Sequence, residues 1–134
     1  MKIEITRLDD HMLMEAKNED GHRILLDGTT KAMRPMQMIL TALGGCSTID
    51  IVLILKKQRE PIEDIKITIE GERHEDRDAK TFKKIHVHYV ITGNVKEAKA
   101  KRAIDLSMDK YCSVSKMLEP TVEITNSFEI VSGE

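Results

Sequence analysis

The segment from Met36 to Leu55 constrains the fold most, because it is about 20 residues long and largely apolar. Pro35 precedes it, at the position where a helix best tolerates proline, and Pro61 follows it. Apolar residues cover most of the circumference of the predicted helix, so other structure must surround it on most sides. Asp50 argues against a membrane span, since an Asp at the centre of such a helix costs about 2.5–3.5 kcal/mol to insert. A long buried helix in a water-soluble protein is therefore predicted.

Short segments on both sides of this helix have the pattern of strands and further helices. The three segments before it are separated by turn signals and predict an antiparallel meander. In the two that follow it, isoleucine and valine alternate with polar residues, as in half-buried strands. Asn94 and Glu97 resemble a capping box at the start of the next helix. The order of elements predicts an α+β fold with antiparallel sheets around the long helix. The predicted strands are 3–5, 12–16, 24–26, 65–69, 85–91 and 122–130, and the predicted later helices are 95–110 and 112–118.

The composition describes a globular protein, since 40% of the 134 residues are hydrophobic and 33% are charged. This length suits one domain, which is expected over residues 1–134. A formal net charge of -2 and an aromatic content of 3% argue against nucleic-acid binding. The first residues lack the apolar run of an export signal, so a cytoplasmic location is expected. In that reducing compartment the two cysteines are not expected to form a structural disulfide.

Gly44, Gly45 and Cys46 lie in the middle of the predicted long helix. Each glycine inside a helix costs about 1 kcal/mol relative to alanine, so the pair must serve a purpose. A close approach of another element or of another subunit would supply one. Cys46 is therefore expected where something packs tightly or binds. The alternative is that Cys46 is a small buried hydrophobic residue, as most free cysteines are.

Cys112 is the second cysteine and lies at the predicted junction of two helices. Backbone N–H groups at a helix start, together with Lys116 one turn later, are expected to lower the pKa of its thiol. The alternative is again a core cysteine. Two cysteines cannot form a zinc site by themselves, and they do not form a C-x-x-C redox motif. No metal and no cofactor are therefore predicted.

The two cysteine contexts resemble those of the OsmC/Ohr family, the small cytosolic thiol peroxidases. The run from Pro35 to Cys46 is similar to the family's Pro-Glu-(Glu/Gln)-Leu run, which ends in the first cysteine. The run from Cys112 to Ser115 is similar to its second motif, Cys-Pro-Val-Ser. Within the family, the chain is similar to a subgroup with Arg-Pro-Met, Gly-Gly-Cys and Ile-Asp, which stand here at 34–36, 44–46 and 49–50.

This resemblance implies an OsmC-like fold and an intertwined homodimer with active sites at the subunit interface. It implies that Cys46 is the catalytic peroxidatic thiol, which attacks an organic hydroperoxide, releases an alcohol and becomes a sulfenic acid. Cys112 is then the resolving thiol, which forms a disulfide with Cys46 that an external dithiol reduces. The chemistry needs a thiolate and a positive group beside it. Neither a nucleic acid nor a membrane is expected as a partner.

Two charged residues of the family pattern differ in this sequence. The family glutamate falls at Met36, and the family arginine has no counterpart in the turn at residues 8–11. Arg23 and Arg34 are therefore the candidate substrate-binding residues, with Arg7 as a further substitute. An alternative function on the same scaffold is ligand binding or sulfur handling without appreciable peroxide turnover. A third possibility is an inert scaffold whose cysteines only pack.

Overall fold

The computed structural model describes residues 1–133, which divide into two compact units, Met1–Ile39 and a second that begins at Leu40. The elements follow the predicted order of strands, long helix, two strands, helices and strand. The α+β fold class is therefore confirmed, while one domain over 1–134 stays a prediction. The elements are β1 (Ile3–Arg7), β2 (Met14–Asn18), β3 (Arg23–Leu26), α1 (Pro35–Lys57), β4 (Ile62–Arg73), β5 (Phe82–Gly93), α2 (Glu97–Leu106), a π-helical turn (Ser107–Tyr111), α3 (Ser113–Leu118) and β6 (Glu123–Val131).

The first unit contains the predicted antiparallel meander, in the order β1-β2-β3. Ile5, Ala16 and Ile24 stand opposite one another on its three strands and so share one face. Ala16 is buried, but Ile5 and Ile24 keep 58% and 53% of their surface exposed. This face is apolar and only partly covered by the chain.

The second unit contains a mixed sheet, in the order β4-β5-β6. β4 and β5 form an antiparallel hairpin in which Ile67 stands opposite Tyr89, whereas β6 is parallel to β5. The expectation of purely antiparallel sheets is therefore wrong for β6. A parallel neighbour requires a crossover connection, and α2, the π-helical turn and α3 together form it.

Helix α1 packs through one face against the inner face of this second sheet. The β5 side chains of that face, Ile85, Val87, Tyr89 and Ile91, have at most 1% exposure. A Cβ added to Gly44 would lie only 2.5 Å from Cδ1 of Ile69, so the predicted close approach occurs at Gly44. No described atom outside its own stretch of helix lies within 4 Å of the position that a Gly45 Cβ would take. The second glycine therefore faces open space.

The other face of α1 is exposed, which corrects the expectation of a helix surrounded on most sides. Gly45 is exposed, and Ile49 and Leu53 keep 62% and 63% of their surface accessible. These residues follow one another at four-residue intervals and form one stripe along the helix, here called the apolar seam. One sheet can cover only one side of a helix, so a single chain leaves the seam uncovered. The residues of α1 that are buried are Leu43, Gly44, Ser47, Ile51 and Leu55.

By length and composition alone, α1 also passes as a membrane-crossing helix, with 23 residues and a mean hydropathy of 2.1 in its most apolar window. Core helices of water-soluble proteins pass the same test. Here the helix packs on a sheet and carries Asp50, which accepts a side-chain hydrogen bond within the second unit. These contacts are those of a helix packed on a sheet through one face, with 28% of that window buried inside the chain.

The helix end predicted from the sequence is confirmed at α1, whereas the predicted start of α2 is wrong. The α1 helix ends at Lys57, and Arg59 adopts a left-handed conformation with φ of 60° before Pro61. The capping box predicted before α2 is wrong, since the N-cap is Lys96 and no side chain of its own caps the helix. The buried carboxylate of Glu60 accepts the Lys96 N–H at 3.1 Å instead. A local pattern cannot predict a cap supplied from 36 residues away.

Candidate functional site

The fold brings the two predicted catalytic cysteines close together. Cys46 and Asp50 are four residues apart on α1 and therefore lie on the same face of the helix. Cys112 lies at the start of α3. The two sulfur atoms and a carboxylate oxygen of Asp50 all lie within 4.8 Å of one another. Cys46 and Asp50 are half-buried, and Cys112 has no exposed surface.

The position of Cys112 depends on the π-helical turn that follows α2. A continuous helix was expected over 95–110, but the α-helix ends at Leu106 and the chain continues as a wider π turn. The Cys112 N–H donates to the Ser107 carbonyl at 2.7 Å, which closes this turn. Cys112 then caps α3, and its Sγ accepts the Ser115 N–H at 3.4 Å. π turns of this kind occur most often at functional sites.

The pKa of the Cys112 thiol is raised to about 11, chiefly by burial, with smaller contributions from the neighbouring Cys46 thiol and Asp50 carboxylate. The Ser115 N–H acts in the opposite direction, because it stabilises the thiolate. The expectation of a lowered pKa is therefore wrong, since desolvation outweighs the helix start. Lys116 does not compensate for it. Its ammonium group lies 2.6 Å from Glu119 and donates to the Asp109 carbonyl at 3.2 Å.

A chain of buried hydroxyl groups leads from the sheet to Asp50. The Ser107 hydroxyl donates to Asp50 Oδ2 at 3.0 Å, so it must accept from Ser47 Oγ, also 3.0 Å away. Ser47 in turn accepts from the Tyr89 hydroxyl at 2.7 Å. Burial raises the pKa of Tyr89 to about 12, which keeps this donor protonated. Each hydroxyl of the chain thus donates one hydrogen bond, and the last one orients the Asp50 carboxylate.

Sequence reasoning missed the three hydroxyl residues of this network. Ser47 is polar within an apolar helix and directly follows Cys46, which is the one local signal of a role at the site. Ser107 and Tyr89 carry no such signal, because their contacts join residues 42 and 60 positions apart. Buried hydroxyls need partners, and only the fold reveals which partners they have.

The two candidate substrate-binding arginines belong to the first compact unit. Arg23 lies on β3, is exposed, and places its Nε 3.7 Å from Glu15. Arg34 is also exposed and stands immediately before α1, where its N–H donates to Gln37 at 2.9 Å. Their role in binding substrate stays a prediction.

Known proteins resemble this chain in both sequence and fold. A protein-family model described as OsmC-like protein matches residues 28–127. Protein YhfA of Escherichia coli strain K12 is 45% identical over 120 residues, which cover 87% of this chain and 89% of YhfA.

Two solved structures extend the comparison to the fold. The first, a hypothetical protein from Aquifex aeolicus VF5, is 33% identical and superposes with a TM-score of 0.90, covering 99% of this chain and 97% of the other. The second is an organic hydroperoxide resistance protein OsmC from Legionella pneumophila. It superposes with a TM-score of 0.73 at 20% identity, covering 96% and 97%. The architecture is therefore shared along nearly the whole chain.

Proposed function

The chain belongs to the OsmC-like protein family, and on that premise we propose that it reduces organic hydroperoxides in the cytoplasm with a pair of thiols. Cys46 is the catalytic thiol that meets the peroxide, and Cys112 resolves the product. The observation that carries this proposal is the convergence of the two sulfurs and a carboxylate oxygen within 4.8 Å.

The surroundings of the two cysteines support this division of roles. Cys46 is half-buried, so part of this residue is open to a small substrate, unlike Cys112. Cys112 is fully buried and, with a pKa of about 11, keeps its proton near neutral pH. A protonated, enclosed thiol cannot be the first nucleophile, because the thiolate is the reactive form. It can act once a sulfenic acid stands beside it.

The chemistry then proceeds in two balanced steps. The Cys46 thiolate attacks one peroxide oxygen, the O–O bond breaks, and the alkoxide takes up a proton and leaves as an alcohol. The Cys46 sulfenic acid condenses with the Cys112 thiol, which forms the disulfide and releases water. An external dithiol reduces the disulfide by exchange and is itself oxidised.

Asp50 supplies the proton transfer in this scheme. Its carboxylate, held by Ser107, takes the Cys46 proton as the sulfur attacks and passes it to the departing alkoxide in the same step. Positioned proton transfer of this kind contributes typically about 10²- to 10⁴-fold to a rate.

The second candidate is ligand binding or sulfur handling on the same scaffold, without appreciable peroxide turnover. It is favoured by the same carboxylate, because a negative charge beside two thiols disfavours a thiolate. It is favoured too by Met36, which replaces the family glutamate.

Consumption of cumene hydroperoxide with a dithiol reductant tests the proposal. The wild type should turn over, Cys46→Ser should show only the uncatalysed rate, and Cys112→Ser should accumulate a dimedone-reactive sulfenic acid at Cys46. Ser113→Ala is the matched control, since Ser113 is exposed and adjoins Cys112. An inactive wild type whose Cys46 still reacts quickly with iodoacetamide would refute peroxide reduction in favour of the second candidate.

The protein is also proposed to work as a homodimer. Two exposed apolar surfaces support this. One is the face of the first sheet around Ile5 and Ile24, and the other is the apolar seam of α1. Exposed apolar surfaces of this kind mark interfaces between proteins. A second copy of the chain offers the same surfaces and can cover them in pairs.

A further inference from the structure

The candidate site contains three possible metal ligands, Cys46, Asp50 and Cys112. Their two sulfur atoms and a carboxylate oxygen lie within 4.8 Å of one another. We propose that the reduced protein binds a thiophilic divalent cation, zinc or an ion of similar chemistry, with both thiolates and the Asp50 carboxylate as ligands.

The spacing of the donors fits such a centre. Zinc holds thiolate sulfur at about 2.3 Å and carboxylate oxygen at about 2.0–2.2 Å, so neighbouring ligand atoms of a tetrahedral site stand about 3.3–3.8 Å apart. The present separations, all at or below 4.8 Å, need to close by at most about 1.5 Å. Cys46 and Asp50 already face the same side of α1, one turn apart. The proposal therefore requires a small movement of these three side chains.

The chemistry of the donors selects the class of metal. Magnesium and calcium bind oxygen ligands, so a set with two sulfurs excludes them and favours zinc or cadmium. Two thiolates and a carboxylate carry three negative charges, and a divalent cation offsets their repulsion. Three protein ligands leave the fourth position of a tetrahedral ion open. Cys46 and Asp50 are half-buried, so that position can face solvent and take water.

Asp50 is oriented by a partner outside the ligand set, as ligands of metal sites usually are. The Ser107 hydroxyl donates to Asp50 Oδ2 at 3.0 Å, and Ser47 lies 3.0 Å from the same hydroxyl. This hydroxyl network restricts the carboxylate to the side of α1 that faces the sulfurs. The sequence alone predicts no metal site because two cysteines are too few, and Asp50 supplies the missing ligand.

Metal binding and disulfide formation exclude each other at this site, since both use the same two sulfurs. The reduced form is thus the metal-binding form, and oxidation releases the ion. This inference does not depend on peroxide turnover, because it concerns only the reduced thiols and their carboxylate neighbour.

Titration of the reduced full-length protein with Cd²⁺ tests the inference, in the absence of peroxide. The sulfur-to-cadmium charge-transfer absorption should rise and saturate at one ion per chain, and Zn²⁺ but not Mg²⁺ should displace the ion. Zinc should also protect both thiols from N-ethylmaleimide, and a chelator should restore their reactivity. A wild type without a saturable band, or with alkylation rates that zinc leaves unchanged, would overturn the proposal.

Variants separate the three-ligand site from simple binding by two thiols. Ser107→Ala should weaken cadmium binding by about 10- to 100-fold, the usual effect of losing a residue that orients a ligand. Asp50→Asn should weaken it at least as much, and Asp109→Asn, an exposed acid on the π-helical turn, should bind as the wild type does. Equal affinities of Asp50→Asn and wild type would remove Asp50 from the site and overturn the inference. Because the wild-type readouts need no substitution, the test stands even where a variant folds poorly.

Discussion

Asp50 places a carboxylate where thiol-based peroxide chemistry calls for a positive group. Its effect is visible at Cys112, whose pKa is raised first by burial and then by the Cys46 thiol and Asp50. At the scale of single residues, the site is therefore built to keep one thiol protonated. The other thiol belongs to Cys46, which is only half-buried.

This protonated thiol predicts a loss of stability at high pH. In the unfolded chain Cys112 ionises near pH 9.0, whereas in the folded protein it keeps its proton until about pH 11. The stabilisation of the folded state by this protonated thiol is fully present below pH 9.0. It is lost as the pH rises to about 11, since the unfolded state then binds fewer protons than the folded state. Because the two states differ by at most one bound proton at Cys112, the free energy of unfolding falls by up to about 1.4 kcal/mol per pH unit.

Urea unfolding under reducing conditions across this pH range measures the effect. Cys112→Ser should flatten the decline, and Tyr89→Phe should flatten it above pH 10, because the pKa of Tyr89 is raised from 10.0 to about 12. The Ser113→Ala control should keep the wild-type slope. An unchanged slope in Cys112→Ser would contradict the raised pKa.

At the scale of elements, the sequence predicted those features that depend on local pattern. Proline at the start of α1, lysines in its last turn and Pro61 beyond it define the helix correctly, because each acts within one or two turns. The π-helical turn, the Glu60 cap of α2 and the parallel direction of β6 were missed. These three depend on contacts between distant parts of the chain, which no local pattern encodes.

The two glycines of α1 give a matched pair of variants at this scale. Alanine at either position should add about 1 kcal/mol of helix propensity. At Gly44 the new methyl group meets Cδ1 of Ile69, the end of a side chain, which must shift and so offsets part of that gain. Gly44→Ala should therefore be the less stable variant in chemical denaturation, since Gly45→Ala meets no described atom within 4 Å. Equal stabilities would contradict the close packing of α1 on β4.

At the scale of the whole molecule, the site brings Cys112 to Cys46 and Asp50, which lie 66 and 62 positions before it in the sequence. The pairing of Cys46 with Cys112 was reached from the family resemblance, because nothing in the spacing of two cysteines predicts that they meet. Asp50 follows Cys46 by one helical turn, but the sequence did not predict the three-donor cluster that it forms with the two cysteines. The two cysteines of the candidate site were thus predicted, whereas its hydroxyl network was not.

The proposed homodimer makes a prediction for the apolar seam. Leu53→Lys places a charge on a surface that a second copy is proposed to cover, so it should convert a dimer into a monomer. Light scattering or sedimentation equilibrium gives the mass directly. Met117→Lys is the control, since Met117 is 83% exposed on α3, outside the seam. A monomeric wild type, or equal dissociation by both variants, would refute an interface at the seam.

The crossover between β5 and β6 ties the position of Cys112 to the docking of β6. Cys112 lies within this connection, and β6 secures its far end by pairing with β5. Loss of this parallel pairing should therefore release Cys112 from its place beside Cys46 and Asp50.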